Sequence, residues 1–142
     1  MHALGIDPGE RSIGIAVSDP TGMLARPLEV LTHSNRTLDA AQIAEIAQRE
    51  EVDAIIVGQA TDAEGKPNFT GRKSARLAAA IRTQTGIPVY LWDESYSTYD
   101  ARQTRRELGA RQRSRQGHQD AMAAAIILQS WLDAQPSAKE NE

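Results

Sequence analysis

Residues 3–19 read Ala-Leu-Gly-Ile-Asp-Pro-Gly-Glu-Arg-Ser-Ile-Gly-Ile-Ala-Val-Ser-Asp, with two apolar runs on either side of a Pro-Gly turn. This pattern predicts a β-hairpin whose two strands are both largely buried. Asp7 stands where the first strand ends, and Gly9 and Gly14 leave space for a ligand to approach. Asp before Pro-Gly is also ordinary turn chemistry, so this stretch alone leaves a binding site and a simple turn equally open.

The whole chain has 142 residues, enough for one domain and too few for two ordinary ones. We expect a single domain over residues 1–135 and a disordered tail over residues 136–142. No apolar run is long enough to span a bilayer, and the N-terminal residues do not resemble a secretory signal, so we expect a cytoplasmic protein without membrane partners. Because the chain has no cysteine, a metal would have to be bound by oxygen or imidazole ligands.

Charge is distributed unevenly along the chain. The formal net charge of -3 argues against a surface given over entirely to nucleic acid. Residues 102–115 nevertheless carry six arginines against the single acid Glu107, namely Arg102, Arg105, Arg106, Arg111, Arg113 and Arg115. Such a stretch is either a solvated loop or a surface that binds phosphates, and composition alone does not choose between them.

The predicted elements give an α/β domain on a five-stranded mixed sheet, with three antiparallel strands followed by two parallel ones. Pro27 places the third strand at an edge or a bulge. Ser34-Asn35 predicts a helix N-terminus, and residues 59–71 predict a flexible loop. We expect strands at 3–6, 13–17, 24–31, 52–57 and 87–92, and helices from the cap to about residue 49 and at 72–85, 97–108 and 117–134.

Acidic residues occur at strand ends and at one helix start: Asp7, Asp93-Glu94 and Asp120. Because functional crevices of such sheets lie at strand ends, we expect these carboxylates to converge. Clustered carboxylates repel unless a cation joins them, and Mg²⁺ or Mn²⁺ prefers such oxygen ligands. Asp120 also suits an ordinary first helical turn, where an acid interacts with the helix dipole or points to solvent.

The chain resembles the YqgF (RuvX) family of Holliday junction resolvase-like proteins and nucleases that mature the precursor of small-subunit ribosomal RNA. The resemblance extends from Gly5 to Asp133. It is carried by Gly5-Ile6-Asp7 with the following glycines, by Asp93-Glu94 with Ser97-Thr98, and most specifically by residues 120–133. It implies a ribonuclease H-like fold and three metal-binding, catalytic acids at Asp7, Glu94 and Asp120. The choice of Glu94 over Asp93 rests on the family alone, because spacing does not decide it.

The chain departs from the family at several positions. Ser12 and Ser95 stand where the family usually has arginines, and Gly58-Gln59-Ala60 replaces Gly-Leu-Pro. Arg11 instead falls where the related RuvC resolvases have an arginine. Serine cannot reach a phosphate as a guanidinium does, so we expect metal binding to persist while transition-state stabilisation is weaker.

The sequence therefore predicts a metal-dependent nuclease acting on structured RNA or branched DNA, in precursor ribosomal RNA processing or Holliday junction resolution. The residues predicted to contact nucleic acid are Arg11, Arg105, Arg111, Arg113 and Arg115. Two alternatives remain: a catalytically weak nucleic-acid-binding or scaffold module, and a nucleotide-phosphate-binding protein like the sugar kinases. The chain is too short for the second half of a sugar kinase. His118 could assist Asp120 or be a surface residue, and the oligomeric state is left open.

Overall fold

The computed structural model describes residues 1–94 and 116–136, with only the backbone of residues 116–120. Five strands form one sheet in the order β3-β2-β1-β4-β5. Its elements are β1 (Ala3–Pro8), β2 (Ser12–Ser18), β3 (Ala25–Thr32), α1 (Arg36–Arg49), β4 (Ala54–Gln59), α2 (Phe69–Gln84), β5 (Val89–Asp93) and α3 (Gln116–Ala134). The predicted helix at 97–108, the arginines at 102–115 and residues 137–142 of the predicted tail lie outside the described residues.

The sheet is mixed as predicted. β1 pairs antiparallel with β2 and parallel with β4, and β5 extends the parallel part. β3 is an edge strand, and its register with β2 shifts between Ile15 and Ala16, next to Pro27. Because proline has no N–H to donate, the edge and the irregularity are both places where a strand tolerates it.

The first two helices begin at asparagine caps. The Asn35 side chain accepts from the Leu38 N–H at 2.9 Å and starts α1, as predicted. The predicted start of the next helix at residue 72 was wrong, because α2 begins at Phe69. There the Asn68 side chain accepts from the Gly71 N–H at 2.8 Å, so residues 69–71 belong to the helix and not to the predicted loop.

The rest of that predicted loop is a hydrogen-bonded turn. The carboxylate of Asp62 accepts from the backbone N–H groups of Glu64 and Lys66 at 2.9 and 3.0 Å. A short antiparallel bridge joins Thr61 to Pro67. These bonds give the segment between β4 and α2 a defined path and bring its two ends together.

The two faces of the sheet pack differently. The face under α1 and α2 carries large aliphatic side chains, including Leu4, Ile6, Ile13, Ile15 and Ile55, and these pack against Ile43 of α1 and Ile81 of α2. The face under α3 carries mainly small residues, including Ala3, Ala16 and Ala54, with Ile56, and it packs against Ala124, Leu128 and Trp131 of α3. Small side chains allow close approach: a Cβ on Gly5 would lie 2.7 Å from the Leu128 Cβ and 3.0 Å from the Ala124 carbonyl oxygen.

α3 agrees with the predicted helix at 117–134, and its Ala124, Ile127, Leu128 and Trp131 are buried. Trp131 is packed in the core and stacks on Tyr90 of β5 at a ring-centroid distance of 6.0 Å. Within residues 1–94 and 116–136, every helix is too short or too polar to cross a lipid bilayer.

Candidate active site

Asp7 lies at the end of β1 on the face that α3 covers. It is half-buried and in register with Gly14 of β2. Side chains alternate between faces along a strand, so Asp7 shares a face with Gly5, two residues earlier. Gly5 is the residue that Ala124 and Leu128 of α3 approach most closely. The carboxylate is therefore part of a strand that packs under α3.

Glu94 lies on the same face, immediately after β5. A Cβ placed on Gly58 of β4 would lie 3.1 Å from Glu94 Oε1 and 2.8 Å from the Ile127 Cδ1 of α3. The Glu94 side chain therefore passes over Gly58, in the space that the missing side chain leaves. Ile6 and Val57 are register partners, so Asp7 and Gly58 follow them at neighbouring positions. The structure thus brings Asp7 and Glu94 to one edge of one face.

Asp93 is directed differently. It is the last residue of β5, and its Oδ1 accepts from the Thr61 hydroxyl at 2.8 Å. Thr61 belongs to the turn between β4 and α2. Because neighbouring residues on a strand point to opposite faces, this contact separates Asp93 from the side of the sheet where Glu94 lies over Gly58.

Asp120 lies in the first turns of α3, where the structure describes the backbone alone. It precedes Ala124, which touches Gly5, by four residues, or about one helical turn. Among the side chains that the structure describes, no three acidic or histidine groups form a metal-binding cluster. Asp7 and Glu94 are hard oxygen donors at the end of rigid elements, and this donor chemistry suits a divalent cation.

A tight turn connects Asp7 to β2. The Gly9 N–H donates to the Ser12 carbonyl at 2.9 Å, and a Cβ on Gly9 would lie only 2.6 Å from that oxygen. Arg11 is exposed in this turn, and its carbonyl accepts from the His33 N–H at 2.9 Å. Ser12 begins β2. Ser95, Arg105, Arg111, Arg113 and Arg115 lie outside the described residues, and so does the side chain of His118.

A cleft of about 470 Å³ opens beside this turn, on the other face of the sheet. The turn forms one wall through Pro8, Gly9 and Glu10, and the first turns of α1 and α2 form the others. Its polar and aromatic lining includes His33, Arg36, Asp39, Phe69, Lys73 and Arg76. The functional residues predicted from the sequence do not include these. The available signal was the spacing of Phe69, Lys73 and Arg76 along one stripe of a helix.

Inside this cleft, a buried carboxylate orients a histidine. Asp39 is 2% exposed, and its Oδ2 lies 2.5 Å from His33 Nδ1. Its Oδ1 accepts from the Ser34 N–H at 3.1 Å. His33 is 42% exposed, so its ring is fixed on one side and accessible on the other.

Comparison with known proteins identifies the family. The family model described as RuvX, Holliday junction resolvase, matches residues 1–134. A protein of Anaeromyxobacter sp. (strain Fw109-5), named "Putative pre-16S rRNA nuclease", is 40% identical over 94% of this chain and 97% of its own length. The protein of the same name from Syntrophus aciditrophicus (strain SB) is 34% identical over 94% of this chain and 89% of its own length.

Solved structures agree on the fold. The RuvC protein of T. thermophilus in complex with a Holliday junction substrate superposes with a TM-score of 0.58 at 22% identity, covering 94% of each chain. The fowlpox virus Holliday junction resolvase gives a TM-score of 0.51 at 12% identity, covering 95% of this chain and all of its own. The fold is therefore ribonuclease H-like, as predicted. The chain belongs to the RuvX family of Holliday junction resolvases, a family of nucleases.

Proposed function

We propose that this nuclease hydrolyses phosphodiester bonds of a structured RNA, using Asp7, Glu94 and Asp120 with Mg²⁺ or Mn²⁺. One observation carries the proposal: Asp7 and Glu94 share a face and an edge of the sheet, under the helix that bears Asp120. The names of the relatives favour a precursor of small-subunit ribosomal RNA as the substrate.

Branched DNA is the second candidate substrate. The family description and the fold shared with a junction-bound RuvC protein favour it. Both substrates place a phosphodiester against the same carboxylates, so the chemistry of cleavage does not distinguish them. Direct comparison of cleavage rates on the two substrates does.

The carboxylates would position the metal ion, and the arginines would bind the phosphates of the substrate. Asp7 and Glu94 would bind the cation from two neighbouring parts of the sheet, and Gly58 leaves the space in which the Glu94 side chain lies. A divalent ion held there supplies activation of a water molecule and stabilisation of the leaving oxygen. Arg11 and the sequence-predicted contacts Arg105, Arg111, Arg113 and Arg115 would bind flanking phosphates, each contact steepening the salt dependence of binding.

The test compares acids on the two faces of the sheet. We expect Asp7→Asn and Glu94→Gln to abolish cleavage of a labelled ribosomal RNA precursor fragment, because each removes a charged ligand. Asp93→Asn is the matched control, since its oxygen can still accept from Thr61. It should retain activity. Circular dichroism and urea unfolding verify that each variant is folded.

Chelation and substrate choice complete the experiment. EDTA should stop cleavage, and added Mg²⁺ or Mn²⁺ should restore it. Activity that survives both EDTA and Asp7→Asn would contradict the mechanism. A Holliday junction measured in parallel decides the substrate: faster metal-dependent cleavage of the junction than of the RNA would favour the second candidate.

A further inference from the structure

We propose that the cleft between α1 and α2 binds an unpaired nucleotide of the RNA strand, with its base on Phe69 and its phosphates at Arg36, Lys73 and Arg76. The proposal rests on the proposed function, because it concerns the same nucleic-acid substrate. It adds a binding site on the opposite face of the sheet from Asp7 and Glu94, separated from them by the β1–β2 turn.

The cleft exposes an aromatic ring. Phe69 is the chain's one phenylalanine, and it is 61% exposed at the first position of α2. An apolar ring that is mostly exposed contributes little to folding stability, because little of its surface is buried. A flat ring accessible to solvent is, however, the platform on which single-stranded bases stack, with little dependence on sequence.

Positive charge surrounds the Phe69 ring. Lys73 Nζ lies 4.8 Å and the Arg72 guanidinium carbon 5.9 Å from the centre of the Phe69 ring. Arg36 and Arg76 line the same cleft from the two helices. A base stacked on Phe69 would therefore have cations within reach of its own phosphates.

The cations that line the cleft are available to bind a phosphate. Apart from the contact of Lys73 with the Phe69 ring, Arg36, Lys73 and Arg76 form neither ion pairs nor side-chain hydrogen bonds among the residues that the structure describes. Asp39, which also lines the cleft, is already engaged by His33 and by the Ser34 N–H. Glu10 is the remaining acid in the lining. In a chain of net charge -3, a cleft with three available cations matches an anionic ligand.

The cleft lies next to the candidate active site. The cleft contains Pro8 and Gly9, the two residues that directly follow Asp7. The starts of α1 and α2 meet there because β3 and β4 both end at the same edge of the sheet as β1. A strand that crosses the β1–β2 turn would contact both the carboxylates and the cleft. Because single strands bend sharply and duplexes do not, this geometry favours an unpaired strand.

The test measures binding of a fluorescent oligouridylate by anisotropy, in EDTA so that no cleavage occurs. We expect Phe69→Ala to weaken binding about 5- to 100-fold, the usual contribution of one stacked base, while Phe69→Trp keeps it. Duplex RNA should bind equally to the wild-type protein and to Phe69→Ala. Unchanged oligouridylate affinity in Phe69→Ala, or an equal loss for the duplex, would overturn the proposal.

The charge is tested with a matched pair. Lys73→Gln should flatten the slope of log affinity against log salt by about 0.7, the value for one phosphate contact on a single strand. Arg26→Gln removes the same charge from the exposed edge strand β3 and should leave the slope unchanged. Equal slopes for both variants would overturn the proposal. So would sensitivity to Lys73→Gln without sensitivity to Phe69→Ala, which indicates a simple anion site.

The two proposals fail separately. A wild-type protein that cleaves RNA through Asp7 yet shows no affinity for oligouridylate would overturn the cleft proposal alone. Loss of metal-dependent cleavage in every assay would overturn the proposed function, whatever the cleft binds.

Discussion

The chain contains two Asp-Pro turns, Asp7-Pro8-Gly9 and Asp19-Pro20-Thr21-Gly22, whose aspartates differ in structure. The Asp19 carboxylate organises its own turn, accepting from the Met23 N–H at 2.9 Å and from the Thr21 hydroxyl at 3.0 Å. Asp7 instead belongs to β1, and a backbone bond between Gly9 and Ser12 closes the turn that follows it. The same dipeptide thus ends a strand in one place and builds a turn in the other.

The two aspartates have different partners along the chain. Asp19 interacts with donors within four residues of itself, so its charge serves local folding. Asp7 lies under a helix that the chain reaches more than a hundred residues later, and Glu94 comes to the same edge from a third part of the chain. Long-range packing, and not the local motif, distinguishes the candidate catalytic residue from the structural one.

If the position of the candidate catalytic residues depends on long-range packing, filling the space beside Glu94 should have the largest effect on cleavage. The Cβ of Gly58→Ala would lie 2.8 Å from Ile127 Cδ1 and 3.1 Å from Glu94 Oε1, so both groups must move. The Glu94 carboxylate has to move by only a few tenths of an ångström, so we expect a loss in single-turnover cleavage smaller than the roughly 10²-fold that a displacement of about 1 Å costs. Overpacking should also lower the free energy of unfolding by about 1–3 kcal/mol.

Gly86→Ala is the matched control for this change. A Cβ on Gly86 would meet no atom within 4 Å, so the same substitution should leave both cleavage and stability almost unchanged. Equal cleavage rates in Gly58→Ala and Gly86→Ala would show that the position of Glu94 does not limit the reaction.

Substitutions of the turn glycines should have intermediate effects, and they compare the two Asp-Pro turns directly. Gly22 has φ of 76°, and a Cβ there would lie 2.6 Å from the Met1 carbonyl oxygen. Gly22→Ala should therefore lower the unfolding free energy by about 1–3 kcal/mol and leave the cleavage rate of folded protein unchanged.

Gly9→Ala crowds Ser12 O at 2.6 Å and should lower both the unfolding free energy and the cleavage rate, because its turn directly follows Asp7. Urea unfolding and single-turnover cleavage measure the two. Loss of cleavage in Gly22→Ala but not in Gly9→Ala would show that the Asp19 turn, and not the Asp7 turn, supports the active site.

Local signals were sufficient to predict most of the fold. Apolar runs around Pro8-Gly9 predicted the hairpin, Pro27 predicted the edge strand, and Asn35 predicted the start of α1. The start of α2 was wrong because Gly71 resembles a loop residue. In the structure Gly71 belongs to the first helical turn, where a Cβ would lie 2.0 Å from the Ala60 carbonyl oxygen, so close approach and not flexibility requires glycine there.

The candidate site was predictable only in part. Strand ends indicated Asp7 and the Asp93-Glu94 pair, but the choice between the two neighbours depends on the face that each occupies. Contacts with Thr61 and Gly58 provide that information, and the linear sequence does not. The cleft was missed for a related reason. A helix predicted to begin at residue 72 excludes Phe69 from the stripe that it shares with Lys73.

The smallest expected effect concerns Asp19 itself. The Met23 N–H, with further help from Thr21, lowers the pKa of the Asp19 carboxyl below its ordinary value. Because the folded protein favours the charged form, the contribution of Asp19 to stability is complete above the pKa of the unfolded chain. It is lost as the pH falls below about 4 and through the lower pKa of the folded state.

Asp19→Asn has no charge to titrate, so its unfolding free energy should decrease less than that of the wild-type protein between neutral and acid pH. Cleavage at neutral pH should be unchanged. Urea unfolding of both proteins at several pH values measures the difference, and identical pH dependence would mean that the Asp19 charge does not stabilise this turn.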